Sequence, residues 1–105
     1  MSSTYEILTN AQELISDKKR WTQGAYARDA NGGKVGALNP NAVCWCWTGA
    51  VIKCGGGQTF GAGLSGELLD LLKGETAGPV HTNDDKGHTA AMALFERLRA
   101  KAKAA

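Results

Sequence analysis

The sequence predicts an α+β fold, a compact bundle of three to four helices with a small two-stranded β-hairpin packed alongside. Three observations predict it. Apolar residues recur at helical spacing near both ends of the chain. An Asn31-Gly32 step, suited to positive φ angles, separates two short stretches with strand character. A long apolar run, Asn41 to Cys54, is introduced by Asn39-Pro40 and stopped by Gly55-Gly56-Gly57.

The elements follow in order. Ser3-Thr4-Tyr5-Glu6 fits a capping box, a hydroxyl at the cap with a carboxylate three residues on. Ile7, Leu8, Ala11, Leu14 and Ile15 then recur on one face, which predicts a helix from Ser3 to about Lys19. Its basic end, Lys18-Lys19-Arg20, suits the negative pole of the helix dipole. Ala25 to Ala27 reads as a short strand, Asp29 to Gly33 as a turn, and Lys34-Val35 as the returning strand. Two strands alone are marginal in water, so the hairpin must lean on helices. Asn39-Pro40 reads as N-cap and first helical position of a central helix ending near Cys54. A glycine-rich loop, Gln58 to Gly63, carries Phe60. A short helix from Ser65 to Lys73 and a loop from Gly74 to Pro79 come next. The last helix begins near Thr89 and buries Ala91, Leu94, Phe95 and Leu98.

The central run holds all three cysteines, Cys44, Cys46 and Cys54, and two of the three tryptophans. On a helix, Cys44 and Cys46 would point about 200° apart and could not grip one ion. Cys46 and Cys54 would lie about 12 Å apart along the axis, again too far. The run is therefore expected to be core, with Gly49 letting another element pass close by.

A chain of 105 residues suits one domain. The net charge of +2 permits a nucleotide partner but is far from the basic excess that would demand nucleic acid. No recognition helix with a concentrated basic face is evident, which argues against double-stranded DNA. No apolar run approaches the roughly 18–20 residues needed to span a bilayer, so no membrane partner is expected. An odd cysteine count and the absence of a signal-like N-terminal pattern predict a cytoplasmic setting.

Two polar groups are the candidate sites. Arg28 and Asp29 end the first strand; Asn83 and Asp84 precede the last helix; Trp21 and Tyr26 stand near enough in sequence to stack on a base. Together with His88 they form the candidate ligand-binding set for a small anionic or nucleotide-type ligand. His81, Asp84, Asp85 and His88 are the one cluster resembling metal ligands, although no rigid element sets their geometry and no metal or other cofactor is expected. No G-x-S-x-G, H-E-x-x-H or phosphate-loop motif is present.

Three blocks carry a resemblance: Gly24-Ala25-Tyr26-Ala27-Arg28-Asp29-Ala30-Asn31-Gly32; Ala42-Val43 with Trp45-Cys46 and Gly49-Ala50; and Asn83-Asp84 with Gly87 and Thr89. The pattern, spanning almost the whole chain, resembles a small single-domain family catalogued only as a domain of unknown function, with members in actinobacteria, other bacteria and bacteriophages. The resemblance implies a cytoplasmic accessory protein of the kind phages and mobile elements carry. The family commonly reads Trp-Asn-Asp where this chain has Thr82-Asn83-Asp84, which removes one aromatic surface for a flat ligand.

These readings converge on a non-enzymatic binding protein that captures a small nucleotide-like ligand or docks on a host protein, with a role in defence evasion. A ligand-capturing version is expected to form a homo-oligomer; a docking version is expected to expose an apolar patch with Trp21 or Phe60 as anchor. The alternative from another class is a small metal- or thiol-dependent hydrolase using the His81–His88 loop.

Overall fold

Helix α1 (Thr4–Leu14) starts where the capping box places it: the Ser3 hydroxyl accepts a hydrogen bond from the Glu6 backbone N–H at 3.1 Å. The structure, a computed structural model, describes residues 3–57, 64–75 and 77–104. Leu8 and Ala11, with Ile15 just beyond the helix, are fully buried, as the spacing predicts. The helix stops at Leu14, short of Lys19. Ser16 Oγ donates to the Glu13 carbonyl, and the Asp17 carboxylate accepts from the Lys19 N–H, opening a separate 3₁₀ turn at Lys18–Arg20. Such local side-chain bonds compete with helix continuation. The basic run therefore lies beyond α1 rather than in its last turn.

Strands β1 (Ala27–Arg28) and β2 (Lys34–Val35) pair antiparallel, Ala27 opposite Val35 and Arg28 opposite Lys34, which confirms the hairpin. A third strand, β3 (Cys44–Trp45), pairs with the other edge of β1, so the sheet has three strands in the order β2-β1-β3 rather than two. That third strand occupies the middle of the run expected to be one helix from Asn39 to Cys54. Asn39 is instead the head of a turn, its side chain accepting from the Asn41 N–H at 2.8 Å. The free edge of β1 then captures Cys44-Trp45, and helix α2 begins only at Trp47, with Cys46 as its cap.

Helix α2 (Trp47–Val51) is short and central, all five residues buried. It opens into a wide turn, Ile52–Gly56, ended by Gly55 at φ 102°, a conformation few other residues adopt. The expectation for Gly49 holds: a Cβ there would lie 1.9 Å from the Tyr26 carbonyl oxygen, so the chain entering β1 rides directly on the α2 backbone. Trp47 stacks on Phe95 with ring centroids 4.7 Å apart.

Helix α3 (Gly66–Leu72) buries Leu68. The stretch expected to be loop ahead of the last helix is helical instead. A single turn, α4 (Pro79–His81), starts on a proline at its first position and widens into a second broad turn, Thr82–Lys86. Helix α5 (His88–Ala104) follows, starting one residue before Thr89. Ala91, Leu94, Phe95 and Leu98 are all fully buried on one stripe that packs against α1. Each such Leu or Phe contributes about 2 kcal/mol by burial. Glu75 ties the α3–α4 connection to α5 through Arg97 at 2.8 Å and Lys101 at 3.2 Å. The bonded Arg97 guanidinium, with Lys101 behind it, holds the Glu75 carboxyl below its ordinary pKa. No helix among the described residues is long and apolar enough to cross a membrane.

Candidate functional site

Asn83 joins the segment ahead of the sheet, the start of α2 and the wide turn after α4. It is 1% exposed. Its Oδ1 accepts from the Trp21 indole N–H at 2.6 Å and from the Trp47 backbone N–H at 3.0 Å; its Nδ2 donates to the Thr22 carbonyl at 3.0 Å and to Asp84 Oδ1 at 2.9 Å. Both ends of the amide are thus used, and three segments distant in sequence are fixed to one another. Gln23 adds to the seam by donating from Nε2 to the Asn83 and Asp84 carbonyls.

Beside this hub lies a cleft of about 300 Å³ lined by Gly24, Ala25, Tyr26, Cys46, Val80, Asn83 and Asp84. Its lips are apolar and open to solvent, Tyr26 at 42% and Val80 at 56% exposure. Asp84 is the charged residue in the lining. Its Oδ1 also accepts from the Gly24 N–H at 3.1 Å, while Oδ2 makes no hydrogen bond or ion pair among the described residues. The Tyr26 hydroxyl is likewise unbonded among them. Neither lysine nor arginine lines the cleft.

Cys46, read from the sequence as core, is buried yet forms part of the cleft lining. Its Sγ accepts from the Gly49 N–H at 3.2 Å, capping α2. Burial pushes the thiol pKa up, and the charge of Asp84 adds to that, so the group stays a neutral thiol near pH 7. Nothing in the residue pattern distinguished this cysteine from its neighbours, because the strand that places it was itself not legible.

Of the residues nominated from sequence, Tyr26, Asn83 and Asp84 line this cleft and the others do not. Trp21 is half-buried behind Asn83, its indole nitrogen already bonded. Arg28 spends its guanidinium on the hairpin: Nε donates to Thr22 Oγ1, and the terminal nitrogens donate to the Gly32 and Gln23 carbonyls, each at 3.0 Å. Asp29 closes the turn by accepting from the Asn31 and Gly33 N–H groups, each at 2.9 Å. His88 donates from Nε2 to the Ile15 carbonyl at 2.7 Å and meets Trp21 edge-on. His81 pairs instead with Asp85 at 2.6 Å on the surface. The His81–His88 segment therefore sends its potential ligands in different directions, and among the described residues no group of three His, Cys, Asp or Glu side chains is placed to hold a metal ion. Phe60, the other proposed anchor, lies outside the described residues.

Chemically, the cleft offers flat and aliphatic surface with a single spare carboxylate oxygen. That combination favours a neutral or cationic group with N–H donors and disfavours phosphate at this spot. No match was found among curated proteins or among solved structures. A family model does match, over residues 1–101, nearly the whole chain. The chain therefore belongs to the family of unknown function DUF6197.

Proposed function

We propose that this chain is a non-enzymatic binding protein whose cleft captures the base portion of a nucleoside- or nucleotide-type ligand. One observation carries it: an exposed aromatic residue, Tyr26, and Asp84, whose Oδ2 is unbonded among the described residues, line one apolar cleft. A base stacks on the first and donates a ring or amino N–H to the second. The volume of about 300 Å³ is at the small end of ligand pockets and matches a base better than a whole nucleotide. The sugar and phosphate then extend into solvent, away from Asp84. The walls are held in place by the Asn83 hub and by the contact of Tyr26 with Gly49, so little ordering cost opposes binding. With the lining thiol neutral and no metal-holding group among the described residues, capture without turnover is the activity we assign to this cleft. In a phage or mobile-element setting, such capture would withhold a nucleotide signal from the host.

The test is calorimetric titration with a panel of nucleosides, nucleotides and cyclic dinucleotides. A nucleoside should bind within a few-fold of its nucleotide. Asp84→Asn keeps an oxygen for Gly24 and Asn83 but removes the charge, and should weaken binding about tenfold, the equivalent of one charge-assisted hydrogen bond. Binding that follows the phosphate and ignores Asp84→Asn would overturn the proposal, as would no binding by any base-bearing compound.

A further inference from the structure

A second concavity, about 430 Å³, runs between α1 and the wide turn after α2, lined by Asn10, Glu13, Leu14, Arg20, Lys53 and Cys54. It shares no lining residue with the cleft. Leu14 and Cys54 are partly buried against the core and supply its apolar surface. Burial raises the pKa of Cys54, which keeps that surface uncharged near neutral pH. Two cations reach the groove from separate elements, Arg20 from the 3₁₀ turn and Lys53 from the wide turn. Neither side chain makes a hydrogen bond or ion pair among the described residues, and the Glu13 carboxylate is also unpaired among them. Lys18 and Lys19 adjoin Arg20 in the same turn and are exposed, within reach of a field that decays over roughly 8–10 Å in physiological salt.

We infer that this groove is an anion site that takes phosphate-bearing ligands, with Arg20 and Lys53 as the two groups that hold the phosphate. Arginine offers a planar fork of donors and lysine a point charge, a pairing suited to phosphate oxygens. Asn10 adds a neutral amide to the lining. Glu13 is the opposing charge, so the site is tuned below the affinity its two cations would give. The groove's chemistry is the reverse of the cleft's, one carboxylate there against two cations here, and the inference does not rest on the base-capture proposal.

Phosphate of this kind comes either from a free nucleotide or from a single-stranded nucleic-acid backbone, and three probes separate the sources. The full-length chain is titrated at low salt with inorganic pyrophosphate, a mononucleotide and a short single-stranded oligonucleotide. Arg20→Gln and Lys53→Gln should each weaken binding about tenfold, comparable to one lost charge-assisted contact, while Glu13→Gln tightens it several-fold. Lys103→Gln, an exposed lysine on α5, and Asp84→Asn should leave it unchanged. If two backbone phosphates are held, oligonucleotide affinity should fall about sevenfold between roughly 50 and 200 mM salt. Comparable affinity for pyrophosphate assigns the site to free phosphate ligands; binding of the oligonucleotide alone assigns it to the backbone. The inference is overturned if none of the probes binds, if Glu13→Gln changes nothing, or if Lys103→Gln weakens binding as much as Lys53→Gln.

Discussion

The hairpin tip and the cleft wall both rest on aspartate and asparagine beside glycine, yet they do opposite things. At the tip, Asp29 bonds to backbone two and four residues away, and Arg28 to groups four to six residues away. At the cleft wall, Asn83 and Asp84 bond to partners from Trp21 to Gly24 and to Trp47, 36 to 62 positions off. The tip satisfies itself locally and closes. The wall joins distant segments and lines an open cleft. What separates a structural polar cluster from a candidate site is thus where its hydrogen bonds end, not which residues it contains.

Predictions follow from that contrast. The largest effect should come from Asn83→Ala, which strands the indole N–H of half-buried Trp21, the backbone N–H of buried Trp47 and the Thr22 carbonyl at once; about 4 kcal/mol of stability should be lost in denaturant unfolding. Gly49→Ala should cost about 3 kcal/mol, since a methyl group cannot share space with the Tyr26 carbonyl and the backbones must part. Arg28→Ala removes three bonds at a half-exposed site and should cost about 1–2 kcal/mol, with base binding unchanged. An Arg28→Ala protein that folded but lost the ligand would break the comparison.

A control outside both regions gives the smallest effect. The pKa of Glu75 is lowered in the folded chain, so its contribution is present above the ordinary carboxylate range and disappears as pH falls through the folded value. Glu75→Gln should therefore be slightly less stable than wild type at pH 7, with the gap in melting temperature closing on acidification below about pH 4.5. A gap that widened in acid would contradict the bond to Arg97.

How much of this was legible depended on how local the deciding contact was. Ser3 and Glu6 announce the start of α1 because the cap is formed within four residues. The hairpin is legible for the same reason, its turn being closed by Asp29 alone. Asn39-Pro40 predicts a helix start but heads a turn, because the same asparagine chemistry serves both; the choice is made by the free edge of β1, which pairs residues 27 and 28 with 45 and 44. The α4 turn reads as loop although Gly78-Pro79 is a fair helix start, since three residues give no periodicity to detect. For the site, Tyr26, Asn83 and Asp84 were nominated as polar or aromatic residues beside turns, but their meeting rests on contacts that no pattern in the chain encodes. Cys46 reads as core and Val80 as an ordinary apolar residue, and neither carries a sign of the cleft.

The three tryptophans have a practical corollary. Trp47 is fully buried against Phe95, its indole N–H without a partner among the described residues, whereas Trp45 donates to the Ala37 carbonyl. Trp21 hangs from the same Asn83 oxygen that holds the N-terminus of α2, with His88 edge-on at 5.2 Å. The molecule thus contains its own fluorophores in distinct surroundings: a blue-emitting internal reference at Trp47, and at Trp21 an emitter wired to the wall of the cleft. Occupancy of that cleft is open to optical measurement in the native chain, without a label.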